Sequence, residues 1–208
     1  MTALDTVEFW DAFHGRGHTE WYLPVDVVVL EVLRVYAELT TQLPRFATTR
    51  LATGEASNDG KGEGVRGDRD PRNRPRILHP GCGSSTLGVV LKREHACDVV
   101  NADFSEGVID SMRGRYPDCE FVCSDARDAA GFPSSSFDLS VDKGLFDSTT
   151  VRTAGRKEAA KKLLDETARV LETGGKYMIF SAFRSDGLGH KDMEGMLAHP
   201  GFGEVEAS

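Results

Sequence analysis

The sequence predicts an α/β domain built on a mostly parallel sheet with helices on both faces. Three observations predict it. Short apolar runs at 76–79, 97–102, 119–123, 137–142 and 176–182 read as strands, most of them without polar alternation. Segments of helical period separate them, at 85–94, 105–115 and 156–172. The first strand also runs into Gly81-Cys82-Gly83, and the second ends in an acid, Asp103. Strands alternating with helices imply a parallel sheet covered on both sides. In such sheets a ligand lies beyond the carboxyl ends of the strands.

The elements follow in order. Residues 5–22 hold Phe9-Trp10-Asp11-Ala12-Phe13-His14 and Glu20-Trp21-Tyr22, including both tryptophans of the chain. This aromatic segment reads as a packing strap or as a lid over a ligand. Pro24 opens a helix over 25–43, where Val29, Val32, Leu33, Tyr36 and Leu39 recur at helical spacing. Residues 52–76 are rich in Gly, Asp, Asn and Arg and nearly lack apolar side chains, so they read as a flexible insertion. From Ile77 the strand–helix alternation begins. In the helix over 156–172, Ala160, Leu163, Leu164, Thr167, Ala168 and Leu171 form one stripe, and Gly174-Gly175 is expected to end it. Gly201 to Glu206 read as the start of one more strand, with the final strand of the sheet expected to be missing. The whole, 1–208, is read as a single domain.

The strand ends carry the chemistry. Gly81 and Gly83 leave backbone open to a ligand, and a helix opening at Ser84 or Ser85 is expected to aim N–H groups at it. The next strands end in Asp103-Phe104, in Ser124-Asp125-Ala126 and in Asp142-Lys143-Gly144. Asp103 is placed to accept from both hydroxyls of a ribose. Asp125 suits an adenine exocyclic amine, the Ala126 N–H a ring nitrogen, and Phe104 the ring face. Asp142 and Lys143 would lie near the reacting end. Lys143 reads equally well as an ion-pair partner of Asp142 or Asp125. Thr86 stands where a dinucleotide turn has its third glycine, which lets the helix sit close beneath a pyrophosphate. A phosphate-free nucleoside cofactor, such as S-adenosyl-L-methionine, needs no such cradle.

Composition narrows the partners. The net charge of −8 argues against a broad nucleic-acid face; it suits a cationic target, but surface solubility is the simpler reading of it. Cys82, Cys97, Cys119 and Cys123 form no C-x-x-C pair, so no metal is expected, and thiols so scattered suit a reducing cytoplasm. No run approaches the roughly 20 apolar residues of a membrane span, and no leader is visible.

The residues also resemble a known family, the seven-strand S-adenosylmethionine-dependent methyltransferases, with a Rossmann-like sheet. More narrowly they resemble the methyltransferase-like 13 group, which includes lysine methyltransferases of translation elongation factor 1-alpha. The matching stretches are Phe9-Trp10-Asp11, Glu20-Trp21-Tyr22, Ile77 to Leu87, Asn101 to Ser105, Ser136-Phe137-Asp138, Asp142 to Asp147, and Arg169-Val170-Leu171 with Gly174-Gly175. The resemblance implies cofactor contacts at Trp10, Trp21, Gly81, Asp103, Phe104, Asp125, Ala126 and Lys143, with His14 where the family has an aromatic residue. It departs from the family at Leu145-Phe146, at Ser84 and at Pro80. The implied reaction is methyl transfer to a protein lysine or N-terminal amine, with a translation factor or a small molecule as acceptor. Asp142, Asp147 or solvent would take the amine proton. The other readings are a non-catalytic cofactor- or partner-binding protein of this fold, an aminopropyl transferase, and a nicotinamide oxidoreductase. The last lacks both the third glycine and an evident Tyr-x-x-x-Lys.

Overall fold

The computed structural model describes residues 6–14, 23–42, 74–150, 155–182, 197 and 199–203. Two helices come first, α1 (Val7–His14) and α2 (Val25–Gln42). Then follow β1 (Arg76–Pro80), α3 (Leu87–His95), β2 (Asp98–Asp103), α4 (Glu106–Arg115), β3 (Glu120–Cys123) and β4 (Phe137–Lys143). The short α5 (Leu145–Thr150), α6 (Arg156–Val170) and β5 (Leu171–Phe180) complete it. The sheet order among these residues is β3-β2-β1-β4-β5, and every pairing is parallel. Sequence order therefore reverses between β1 and β4, which is where a crevice opens at the carboxyl edge of such a sheet.

Alternate side chains of β1 serve opposite faces, as strand geometry requires. Ile77 joins Val99, Leu139 and Val141 against Val28, Val32 and Leu39 of α2 and Leu87 and Leu91 of α3. Leu78 joins Val100, Ala102 and Phe137 against Val170 of α6 on the other side. Complete burial of side chains such as Ile77, Leu87, Leu139 and Leu163 contributes about 1.5–3 kcal/mol each. Because the sheet is covered on both faces, its strands read as continuous apolar runs, and β1 to β4 lie within one residue of their expected bounds.

Four features depart from the expectation. The helix after β1 opens at Leu87, two or three residues later than Ser84 or Ser85. Thr86 precedes it without a side-chain cap, and the Ser85 hydroxyl accepts from the Leu87 N–H at 3.2 Å instead. The last long helix stops at Val170, because Leu171 is already extended (φ −77°, ψ 140°) and pairs with Phe137. Gly174 and Gly175 thus lie inside β5, where the register slips between the Phe137–Leu171 and Leu139–Lys176 pairs. A Cβ on Gly175 would meet the Glu172 and Asp138 carbonyl oxygens at 2.9 and 3.1 Å. Residues 201–203 form a turn and coil with no strand, and 204–206 lie outside the described residues. Helix α5 was not anticipated at all.

The 52–76 segment lies outside the described residues up to Asn73. Its end is tied to the sheet: Arg74 Nη1 donates to the Ala96 carbonyl at 2.8 Å, and the Arg76 N–H donates to Asp138 Oδ2 at 2.8 Å. Arg76 also lies over the Phe137 ring, 4.9 Å from its centroid.

A buried polar pair crosses β1 and β2. His79 Nδ1 meets Asn101 Oδ1 at 3.1 Å, and Asn101 Nδ2 donates to the Glu120 carbonyl at 3.0 Å. Gly88 of α3 makes room for it, since a Cβ there would fall 1.9 Å from Asn101 Oδ1. Alanine at a helical glycine ordinarily gains about 1 kcal/mol. Here it has to displace a buried amide whose stranded partners cost about 1–3 kcal/mol each. Gly88→Ala is therefore expected to lower stability by about 2 kcal/mol in urea denaturation. In an Asn101→Ala background the same change is expected to cost nothing further.

Candidate functional site

The glycine turn leaves β1 with Gly81 at φ +60° and Gly83 at φ +50°, a left-handed backbone that favours glycine. The space beside Gly81 is taken by Leu145, whose Cβ and Cδ1 would lie 2.8 and 2.9 Å from an added Cβ. The Gly83 N–H donates to Asp103 Oδ2 at 2.9 Å. The Asp103 carboxylate is 6% exposed, and its other oxygen accepts from the Ser105 N–H at 3.0 Å. One carboxylate at the end of β2 thus ties the turn after β1 to the turn before α4. Phe104, partly buried, lies between them.

Asp125 and Ala126 follow β3 in a loop fastened to α6. Arg169 donates to the Phe132 and Ala129 carbonyls at 2.9 and 2.8 Å, and Glu166 accepts from the Ala129 N–H at 2.9 Å. Asp125 is paired with Arg127, Nη2 to Oδ2 at 2.7 Å and Nε to Oδ1 at 3.0 Å. Burial pushes its carboxyl up, but the Arg127 hydrogen bonds and charge outweigh that and hold it below the usual range. A small recess lined by Leu78, Pro80, Ala102, Ser124 and Ala126 opens between this loop and the sheet.

At the end of β4, Asp142, Lys143 and Gly144 are all buried. Asp142 has no exposure. Its Oδ1 accepts from the Leu145 N–H at 2.7 Å, and its Oδ2 from the Phe146 N–H at 2.9 Å and the Tyr177 hydroxyl at 2.7 Å. These bonds satisfy first-turn donors of α5, which explains a six-residue helix here. Burial pushes the Asp142 carboxyl up to about 7, and the Asp147 charge adds to the push. The Tyr177 hydroxyl and the two amides hold it back. Asp147, 1% exposed, accepts from the Ser181 hydroxyl at 2.6 Å and the Ala182 N–H at 2.8 Å. Both candidate proton acceptors are thus occupied on both oxygens, holding α5 and the exit of β5.

Trp21 lies outside the described residues. Trp10 and His14 lie on α1, their side chains outside the described set. Around them Phe9 and Phe13 stack, with centroids 6.2 Å apart, and the Thr6 hydroxyl accepts from the Phe9 N–H at 3.3 Å at the helix start. Cys82, Cys97 and Cys119 are buried free thiols and Cys123 is an exposed one. Burial pushes the Cys97 thiol up to about 11. Among the described residues no group of His, Cys, Asp and Glu could hold a metal, and no helix is long and apolar enough to cross a membrane.

The turn after β1, Asp103 at the end of β2, Asp125 after β3 and Lys143 at the end of β4 thus stand along one edge of the sheet, at and beside the reversal of strand order. Residues 78–179, which carry all of them, match the family model described as "Methyltransferase domain". The chain carries an S-adenosylmethionine-dependent methyltransferase domain. The methyltransferase domain is also similar to that of the "eEF1A lysine and N-terminal methyltransferase" of Bos taurus. The two are 33% identical over 133 residues, covering 60% of this chain and 19% of that protein. Against the "EEF1A lysine methyltransferase 4" of Bos taurus it is 35% identical over 122 residues, covering 52% of this chain and 47% of the other. The chain therefore spans less than half the length of either relative. Among solved structures, a TehB-like SAM-dependent methyltransferase from Corynebacterium glutamicum is 25% identical, with a TM-score of 0.46, over 59% of this chain and 62% of that one.

The methyltransferase domain suits its cofactor on donor chemistry. Carboxylates at the end of β2 and after β3 are acceptors of the kind a nucleoside's hydroxyls and amine call for, and Thr86 stands where a phosphate cradle has its third glycine. Sequence reasoning missed Tyr177, Arg127 and Ser105, which hold Asp142, Asp125 and the start of α4. Of these only Ser105 carried a signal, as a serine between strand and helix.

Proposed function

We propose that this protein transfers a methyl group from S-adenosylmethionine to a protein amine, a lysine side chain or an N-terminus. The single observation that carries the reading is the Asp103 carboxylate, which joins the glycine turn to the start of α4 at the edge where strand order reverses. When bound, the cofactor supplies a methyl on a sulfonium that is already activated, so alignment and desolvation are the protein's main tasks. Asp103 orients the ribose, and Asp125 takes the adenine amine in competition with Arg127. The Ala126 N–H meets a ring nitrogen, and Phe104 covers the ring. Gly81, Gly83 and Lys143 border the amino-acid end. Trp10, His14 and Trp21 belong to the lid, where tryptophan faces favour a positive sulfonium.

Asp142 and Asp147 act by position. They hold α5 and the Ser181–Ala182 exit rigid beside the glycine turn, while solvent takes the proton from the acceptor amine. A net charge of −8 favours approach of a cationic target. The similarity to eEF1A methyltransferases makes a translation factor the first acceptor to try. The test incubates the purified protein with methyl-labelled donor and fractionated lysate, then identifies labelled species by mass spectrometry. Label on a protein amine is the expected result. Label confined to small molecules overturns the acceptor class, and cofactor binding with no label anywhere supports a non-catalytic protein of this fold.

A further inference from the structure

A contact between distant parts of the chain joins the N-terminal helix to the cofactor edge. The Ser105 hydroxyl donates to Asp11 Oδ1, across 94 positions of sequence. The same hydroxyl accepts from the Val108 N–H at 3.2 Å, as the N-cap of α4. A serine hydroxyl has one proton to give and lone pairs to receive, so both functions are served at once. Helix α1 packs on α4. Gly107, in the first turn of α4, lies beside the carboxylate: a Cβ there would stand 3.6 Å from Asp11 Oδ1, an ordinary contact. A carboxylate over a helix N-terminus gains further from the positive end of the helix. Ser105 is buried, and its N–H is one of the two that Asp103 holds.

The geometry points to Asp11 as a positioning residue: it latches α1 onto the N-cap of α4, in register with the turn that carries Asp103 and Phe104. This rests on the cofactor reading above. Its effect is to dock α1 before the cofactor arrives. Without the latch, α1 spends more of its time undocked, and apparent affinity falls by the fraction docked. A hydrogen bond to a charged group corresponds to roughly tenfold or more in such an equilibrium.

The test titrates S-adenosylmethionine into the full chain by calorimetry and follows tryptophan emission, whose reporters Trp10 and Trp21 both lie in the N-terminal segment. Wild type is expected to bind with a change in emission. Absence of binding there overturns the cofactor reading, and the latch with it. Asp11→Ala is expected to bind several-fold more weakly with an unchanged melting temperature. Asp11→Asn, which keeps the accepting oxygen, is expected to recover most of the loss. Ser105→Asp keeps a helix cap but sets two carboxylates face to face, and is expected to behave like Asp11→Ala. If wild type binds and Asp11→Ala matches it in affinity and emission, the latch is refuted while the cofactor reading stands. A fall in affinity matched by an equal fall in melting temperature, with no rescue by Asp11→Asn, refutes it too.

Discussion

Asp103→Ala is expected to abolish S-adenosylmethionine binding, with affinity falling at least ~100-fold by calorimetry. Two losses combine. The ribose hydroxyls lose a charged acceptor, at about 1.5–3 kcal/mol for each hydrogen bond. The Gly83 and Ser105 N–H groups also lose their partner, so the turn after β1 and the start of α4 are no longer held together. Part of the effect is a cost to the fold, about 2 kcal/mol for the stranded amides. Binding is therefore read at low temperature on variant protein that circular dichroism shows to be folded. Unchanged affinity would remove the ribose assignment and the reading built on it.

Asp142→Ala is expected to cost about 4 kcal/mol of stability, the other large effect. Three donors converge on this unexposed carboxylate, the Leu145 and Phe146 amides and the Tyr177 hydroxyl, and alanine leaves them buried without it. The pH dependence has a definite sign. The folded carboxyl titrates at about 7, above its unfolded value near 4, so between those values the folded state binds the extra proton. The Asp142 contribution to stability is thus fully present below about pH 4 and is lost as pH rises through about 7. Carboxylates held low, such as Asp118 at about 2, act in the opposite direction only at lower pH. Urea denaturation at pH 5 and pH 8 is expected to show wild type losing stability with rising pH. Asp142→Asn, which cannot titrate, is expected to lose markedly less. An equal slope in both proteins would refute the assignment.

The sheet was legible because strands buried on both faces are written as uninterrupted apolar runs, and Ile77–Leu78 and Val99–Val100 admit little else. The edge of the sheet was legible too, since a carboxylate after each of several strands is a local signal. Helix α5 was not, because six residues give no period. What makes them helical is Asp142, a strand residue whose side chain turns back to hold the first amides. Gly174-Gly175 misled for a related reason. A glycine pair after a helical stripe signals a helix end, yet here the chain enters the sheet at Leu171 and spends the glycines on a slipped register. The bond from Asp11 to Ser105 lay beyond reach, because no local rule links residues in different elements so far apart.

The contact between Gly81 and Leu145 constrains how this chain can change over time. Their side chains would compete for one volume, so a methyl at the first position requires trimming at the second. Alanine at position 145 removes the Cδ1 contact but keeps a Cβ 2.8 Å from one at position 81, so only glycine at 145 leaves just the torsional penalty of a left-handed alanine at 81, about 1–2 kcal/mol. In a lineage of such sequences, glycine is therefore expected at position 81 wherever a side chain stands at 145.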